Sequence, residues 1–406
     1  MKKALTLCIC LALLQSVFGQ ATPEILEIKS DLFKGVRKAN VYLPAGYHQY
    51  PNRRYNVIYF FDAQSKPFFN YTKATLDYLS SHSYTYIAPV ILVGIETLRS
   101  RQFEFLPKNK TDQPLKDYFP KVKLGGADSL ALSLEEEIVP FITSKYRCTN
   151  YRMGIGHSLG GSFVTFALMK YPQVFNAAIA ISPNYYYDQE QLLTLFDSLA
   201  TPQRLTKKFL YVAYGKGDKL EDRFRPATIK MGQLLQRKNI EGFEWHVDSL
   251  ASTSHAFTPI DGIYRGIIAF NKSITVSDEQ LESFYKASPT TAIDQLKAYY
   301  QQRSNQVGMP LPTLEDITHI AYNLYYADKL KDAVTTLEWA LSLYPDDSNL
   351  YDSLGEMHQA LKNPQEALRY YSKGLALIDQ QQAQLQSSIY QNKVKWFTER
   401  INKIKP

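Results

Sequence analysis

From about Glu24 to Ala269, short apolar runs alternate with stretches of helical spacing. That alternation is the mark of βαβ units and predicts an α/β domain built on a parallel or mostly parallel sheet with helices on both faces. Residues 55–61, 88–95, 151–155, 175–181, 209–214 and 243–247 are the strand candidates, several of them almost continuously apolar, as strands covered on both faces must be. Residues 24–29 and 38–43 alternate apolar and polar positions instead, which fits edge strands opening a mixed sheet. Helical spacing spans 127–146 and 158–171, the second stopped by Pro172. The stretch 102–126, rich in Lys, Pro and Gly, reads as a long loop.

Beyond about Thr275 the strand pattern disappears and helical spacing with Gln, Lys and Ala takes over. The boundary is therefore placed between 274 and 275, giving an α/β domain over 20–274 and an all-α domain over 275–406. A period of 34 residues runs through the second domain, with Ala321 answering to Gly355, Ala333 to Ala367, Leu337 to Tyr371 and Ala340 to Gly374. Small residues at these offsets let the two helices of a hairpin approach closely, and Pro345 ends the first unit. The segment 314–379 resembles tetratricopeptide repeats: Leu354-Gly355 and Ala367 match that pattern, while His358 stands where Tyr is usual. Two units are fewer than the roughly three a stable stack needs, so helices near 292–302 and 384–404 are expected to complete it.

With 45% hydrophobic and 21% charged residues the chain has material for real cores, which excludes a low-complexity or collagen-like protein. Its first residues, Met1-Lys2-Lys3, an apolar run from Ala4 to Leu14, then Val17 and Gly19, read as a secretory signal cleaved after Gly19. The run is too short to span a bilayer, and no Cys follows the cleavage point to carry a lipid anchor. A periplasmic or secreted protein is expected. Cleavage takes Lys2 and Lys3 from the 46 basic residues and none of the 39 acidic ones, leaving 44 against 39, a net charge of +5. The excess is mild and scattered apart from a C-terminal cluster, so a nucleic-acid partner is not expected. Cys8 and Cys10 leave with the signal, so Cys148 has no internal disulfide partner. With Cys148 alone and seven histidines in no metal-ligand spacing, a structural zinc site is not expected, and the chemistry set out below needs no metal or organic cofactor.

The most informative stretch is Gly156-His157-Ser158-Leu159-Gly160, a G-x-S-x-G match lying between a predicted strand and a predicted helix. That context is what a nucleophile elbow requires: a sharp turn presents the serine, and glycines two residues either side leave no Cβ to collide. Ser158 is the candidate nucleophile, and the Leu159 N–H at the helix start the first oxyanion donor. A serine hydroxyl needs a base to remove its proton. Of the later histidines, His319 and His358 fall in the helical domain and His246 inside a strand, whereas His255 lies in the loop after the last strand and is the candidate base. The acid belongs after the strand 209–214, where Asp218, Glu221 and Asp222 compete, with Asp248 an outsider. Asp218, nearest the strand end, is chosen. The second oxyanion donor is expected from the loop Asp62-Ala63-Gln64, at Ala63 or Gln64, with Asp62 anchoring the loop. His157 beside the nucleophile, Tyr185 in the run Tyr185-Tyr186-Tyr187, and Arg101 are candidate substrate contacts; Arg101 has the alternative of pairing with Glu104 or Asp128.

Taken together, these segments resemble the bacterial α/β-hydrolase esterases of the enterobactin-esterase and esterase D type over about 24–271. The resemblance rests on Phe61-Asp62-Ala63, Val93-Gly94-Ile95 followed by Arg99 and Arg101, Gly125-Gly126-Ala127-Asp128 before Glu135-Glu136-Glu137, the elbow, Ser182-Pro183, and His255 with Pro259, Tyr264 and Gly266. The chain departs from that family at Gln102, where Asp is frequent, and in its longer path to Pro107. What the resemblance implies is a Ser-His pair with a variable acid, acting on small-molecule or saccharide carboxylic esters; the spacing Gly215-x-x-Asp218 is similar to the family's Gly-x-x-acid. A secreted serine esterase is thus the expected function. The alternatives are acyl transfer on the same fold and a non-catalytic interaction protein whose repeats carry the function. The helical domain is expected to bind a protein partner, to self-associate or to shape substrate access.

Overall fold

The computed structural model describes residues 23–81, 87–109, 124–251, 253–287 and 292–404. The expected signal segment and much of the loop 102–126 lie outside them. Eight strands form one sheet: β1 (Glu24–Ser30), β2 (Gly35–Tyr42), β3 (Tyr55–Phe61), β4 (Ile91–Ile95), β5 (Cys148–His157), β6 (Ala177–Ile181), β7 (Lys208–Gly215) and β8 (Phe243–Leu250). Their order is β1-β2-β4-β3-β5-β6-β7-β8. The pairs β1/β2 and β2/β4 are antiparallel and the remainder parallel. Of the two expected edge strands only β1 lies at the edge, because β2 sits between β1 and β4. Its alternation marks one face turned to solvent rather than an unpaired edge.

Because side chains alternate across a strand, β3 feeds two cores. Val57, Tyr59 and Phe61 join the cluster on one face of the sheet, and Ile58 and Phe60 the cluster on the other. The helices that cover them are α1 (Lys66–Ser81), α2 (Arg101–Phe105), α3 (Ala127–Ser133), α4 (Val139–Lys145), α5 (Leu159–Lys170), α6 (Tyr187–Leu199), α7 (Pro202–Leu205), α8 (Lys219–Lys238) and α9 (Thr258–Ile274). The single helix expected over 127–146 is broken, since a π-helical turn, Leu134–Ile138, separates α3 from α4. A wide turn of this kind re-aims side chains. Glu137 there accepts hydrogen bonds from Ser30 Oγ and Ser133 Oγ, both at 2.6 Å, and from the N–H groups of Asp31 and Leu32. Burial pushes its carboxyl up, but these bonds outweigh it and hold the group below its ordinary value.

From Asp278 onward the described residues form α10 (Asp278–Ala287), α11 (Ala292–Val307), α12 (Leu314–Tyr326), α13 (Leu330–Leu343), α14 (Ser348–Ala360), α15 (Pro364–Gln380) and α16 (Ser387–Ile404). The hairpin α12/α13 recurs 34 residues later as α14/α15, with starts at Leu314 and Ser348, then Leu330 and Pro364. Close approach explains the small residues: a Cβ on Gly355 would lie 2.3 Å from the Tyr371 ring, and one on Gly374 2.3 Å from that of Phe397. These helices dock at the amino ends of the parallel strands. Before β3, Arg53 pairs with Glu315, Asn52 Nδ2 donates to Asp346 at 3.2 Å, and Tyr50 accepts from Asn349 at 2.6 Å. Near the start of β8, Arg303 pairs with Glu244 at 2.5 Å. Among the described residues no helix is long and apolar enough to cross a membrane.

Candidate active site

Ser158, Asp218 and His255 all follow the carboxyl ends of strands, the edge of an open α/β sheet where ligands bind. β5 ends at His157 and α5 begins at Leu159, so Ser158 alone makes the turn, with φ 59° and ψ −117°. Holding a non-glycine residue there costs on the order of 1–3 kcal/mol. The elbow depends on its glycines: a Cβ on Gly156 would sit 2.2 Å from Gly160 O. Ser158 N–H is tied to Ile181 O at 2.8 Å, while Ser158 Oγ has no hydrogen-bond partner among the described residues. The Leu159 N–H opens α5, where helical geometry leaves it without a partner inside the helix.

His255 arrives on the loop between β8 and α9 and is nearly buried. Its Nδ1 lies 2.6 Å from Glu221 Oε1. Glu221 is fully buried, and its other oxygen accepts the Gly215 N–H at 2.7 Å. The ring therefore meets Glu221 and not Asp218, which corrects the expected acid. Asp218 is the N-cap of α8: Oδ1 accepts from the N–H groups of Leu220 and Glu221, both at 2.9 Å, while Oδ2 accepts the main-chain N–H of His255 at 2.8 Å. The Glu221 N–H bond is the main reason its carboxyl sits below its ordinary value. A sequence signal for this existed, because Asp218-Lys-Leu-Glu221 has the spacing of a helix cap followed three residues later by Glu. Asp222 pairs with Arg225, and Asp248 accepts from the Tyr211 hydroxyl at 2.8 Å. A cleft of about 480 Å³ between β8 and α9, lined in part by His246, Asp248 and Arg265, contains none of the expected catalytic residues.

Three further expectations change. Ala63 is not an oxyanion donor here, since its N–H is bonded to Ile95 O at 3.2 Å; Gln64, the other candidate, has no such main-chain bond. Arg101 does not pair with Glu104 or Asp128, nor is it unengaged. It grips Asp62 with two bonds, Nε to Oδ1 at 2.6 Å and Nη2 to Oδ2 at 2.9 Å. Asp62, at φ 68°, also accepts from the Gln64 side chain, so it anchors the loop as expected. Tyr185 is fully buried, its hydroxyl 2.7 Å from Thr165 Oγ1, and lines no open site. His157 is partly exposed beside Ser158, its Nε2 donating to His255 O at 3.0 Å with the two rings 4.5 Å apart. Burial, followed by the nearby His255 and Arg101, lowers its pKa to about 3.

Comparison with known proteins fits this geometry. The profile of the "Putative esterase" family matches residues 30–252, more than half of the 406-residue chain. The chain belongs to that family. The match contains the elbow, Glu221 and β8, and stops just short of His255. The esterase-family chain is 32% identical over 168 residues to the ferri-bacillibactin esterase BesA of Bacillus subtilis (strain 168), a stretch covering 39% of this chain and 56% of that protein. It therefore spans little more than half the length of that relative. An IroE-like serine hydrolase from Shewanella oneidensis superposes with a TM-score of 0.65 at 21% identity, covering 79% of this chain and 99% of its own. An uncharacterised protein from Capnocytophaga ochracea, at TM-score 0.61 and 14% identity, covers 94% of this chain and 99% of its own. At these identities both show a shared fold.

Proposed function

We propose that this protein hydrolyses carboxylic esters through an acyl-enzyme on Ser158. The observation that carries the reading is the Glu221–His255 pair: a buried carboxylate on α8 lies 2.6 Å from Nδ1 of a loop histidine whose ring packs against His157, the residue that precedes a strained serine. A carboxylate on Nδ1 keeps the proton there and leaves Nε2 to act as base. Nε2 takes the Ser158 Oγ proton as Oγ bonds to the ester carbon. The tetrahedral oxyanion is held by the Leu159 and Gln64 N–H groups. Collapse breaks the acyl–oxygen bond and the alcohol departs with the proton from Nε2. Water, deprotonated by the same nitrogen, then releases the acid and restores Ser158. Each oxyanion donor is worth about 2.7–4 kcal/mol in systems where one has been removed.

The relative named as a ferri-bacillibactin esterase supports trying siderophore esters first in the panel, ahead of feruloyl and acetyl esters. Residues 1–19 are read as an export signal, which places the enzyme outside the cytoplasm. The chain divides near 274/275 into a hydrolase domain and a tetratricopeptide-like domain. The second is docked opposite Ser158 and serves contacts with other molecules rather than substrate access. The test is labelling with a fluorophosphonate probe, mapped by peptide mass spectrometry. An adduct on Ser158, absent from Ser158→Ala and His255→Ala, is expected. Folded wild-type protein that stays unlabelled and inert toward the ester panel would end this reading.

A further inference from the structure

We propose that His157 and Asp218 are positioning residues that clamp the main chain of His255 from both sides, an inference that rests on the ester-hydrolase reading above. His255 stands on a loop rather than on a strand or helix, yet its ring must meet Ser158 and Glu221 together. A displacement of about 1 Å in such a group can cost 100-fold in rate. Glu221 restrains only the ring nitrogen. The backbone is held separately: the N–H donates to Asp218 Oδ2 at 2.8 Å, and the carbonyl accepts from His157 Nε2 at 3.0 Å and from Thr258 Oγ1 at 2.9 Å. Thr258 Oγ1 in turn accepts from Ser182 Oγ at 2.9 Å, so the loop is pinned to the end of β6 as well.

Each clamp comes from a residue already fixed by the catalytic framework. Asp218 spends Oδ1 on the N–H of Glu221 itself, so one carboxylate sets the distance between the helix that carries the acid and the loop that carries the base. His157 is the residue before the nucleophile, so its bond fixes the base relative to the elbow. A carbonyl oxygen only accepts, which assigns the His157 proton to Nε2. Burial keeps that ring neutral, so when His255 becomes an imidazolium, 4.5 Å away, it faces a dipole and not a second cation.

The test uses full-chain protein carrying His157→Phe, which keeps an aromatic ring against Phe68 and His255 but has no donor, His157→Gln, which restores an N–H, and Asp218→Asn. A kcat loss of about 10- to 100-fold at unchanged KM is expected for His157→Phe and Asp218→Asn, with His157→Gln recovering most of it. The downfield His255 Nδ1–H resonance in proton NMR should broaden in the first two. Wild-type kcat in folded His157→Phe, or equal losses in the Phe and Gln variants with an unchanged His255 resonance, overturns the clamp. If wild-type protein is not labelled at Ser158, the hydrolase reading has failed on its own, and the resonance alone decides: broadening in His157→Phe supports the clamp and a sharp line overturns it.

Discussion

Replacing Glu221 by Gln isolates the acid with almost no change of shape. Glu221 is fully buried, with Oε2 on the Gly215 N–H at 2.7 Å and Oε1 on His255 Nδ1 at 2.6 Å. The amide has one oxygen and one NH₂ to offer these two positions. Setting NH₂ against Gly215 would leave two buried donors facing each other, at a cost of about 1–3 kcal/mol. Setting NH₂ against Nδ1 needs only that the imidazole move its proton to Nε2, which is the cheaper outcome. That tautomer cannot take a proton from Ser158. The equivalent carboxylate-to-amide change in a Ser-His-Asp protease lowers kcat about 10⁴-fold, or roughly 5.5 kcal/mol of barrier. A loss of about 10³- to 10⁴-fold in kcat is therefore expected for p-nitrophenyl acetate hydrolysis, with a parallel fall in the rate of fluorophosphonate labelling. Asp218→Asn, touching only the main chain of His255, should lose about 100-fold at most. A folded Glu221→Gln protein within tenfold of wild type, or a larger loss in Asp218→Asn, would refute the assignment.

Two other perturbations probe the framework. Arg37 and Glu104 form an ion pair at 2.7 Å with side chains 1% and 0% exposed, and Glu104, in the helix that opens with Arg101, also accepts the N–H groups of Leu98 and Arg99. Arg37→Met strands that carboxylate and should destabilise the protein by about 3–5 kcal/mol in urea unfolding, with Arg37→Met/Glu104→Gln regaining much of the loss. In α12, burial raises the Asp316 carboxyl to about 7, with the Tyr300 hydroxyl that donates to it opposing the shift. A carboxyl whose folded pKa lies above its unfolded value of about 3.9 contributes most below that value and loses the contribution as pH rises through 7, an effect on the order of 3–4 kcal/mol. Thermal unfolding should accordingly show wild type weakening from pH 5 to pH 8 relative to Asp316→Asn; parallel curves for the two would contradict it.

The sheet was legible because its strands are covered on both faces, and burial writes long apolar runs into β3, β6 and β7 that no helix period imitates. The positions of Ser158 and His255 in the fold were legible for a related reason: Ser158 falls at the turn from β5 to α5 and His255 on the loop after β8, as their local patterns predict. What failed was anything decided by the direction of a side chain. Asp218 and Glu221 are one helical turn apart, and which meets His255 depends on the capping geometry that turns Asp218 back onto its own helix. Tyr185 and Tyr186 are neighbours, yet the first is fully buried and the second 47% exposed. The partner of Arg101 is Asp62, 39 positions away, a pairing no local pattern contains. The π-helical turn at Leu134–Ile138 leaves the hydrophobic spacing nearly intact, so the break in the helix is invisible until Glu137 is seen reaching the β1–β2 turn.

The same topology separates the two halves of the chain. In a parallel sheet, the carboxyl ends gather Asp62, Ser158, Ser182, Glu221 and His255 on one edge, and the opposite edge is available for docking. The helical region uses that opposite edge, through Tyr50, Asn52 and Arg53 ahead of β3 and Glu244 at the start of β8. A movement of the helical hairpins therefore has two routes toward Ser158: along the strands, and along α9, which shares a buried cluster with Val307 and Met309 and begins just after His255. Packed β-strands with fully buried side chains from both faces, such as Tyr59, Ile155 and Ile179, resist compression and pass strain on rather than absorb it. The helices after Asp278 contact the amino edge and so lie away from the loops that carry Ser158 and His255.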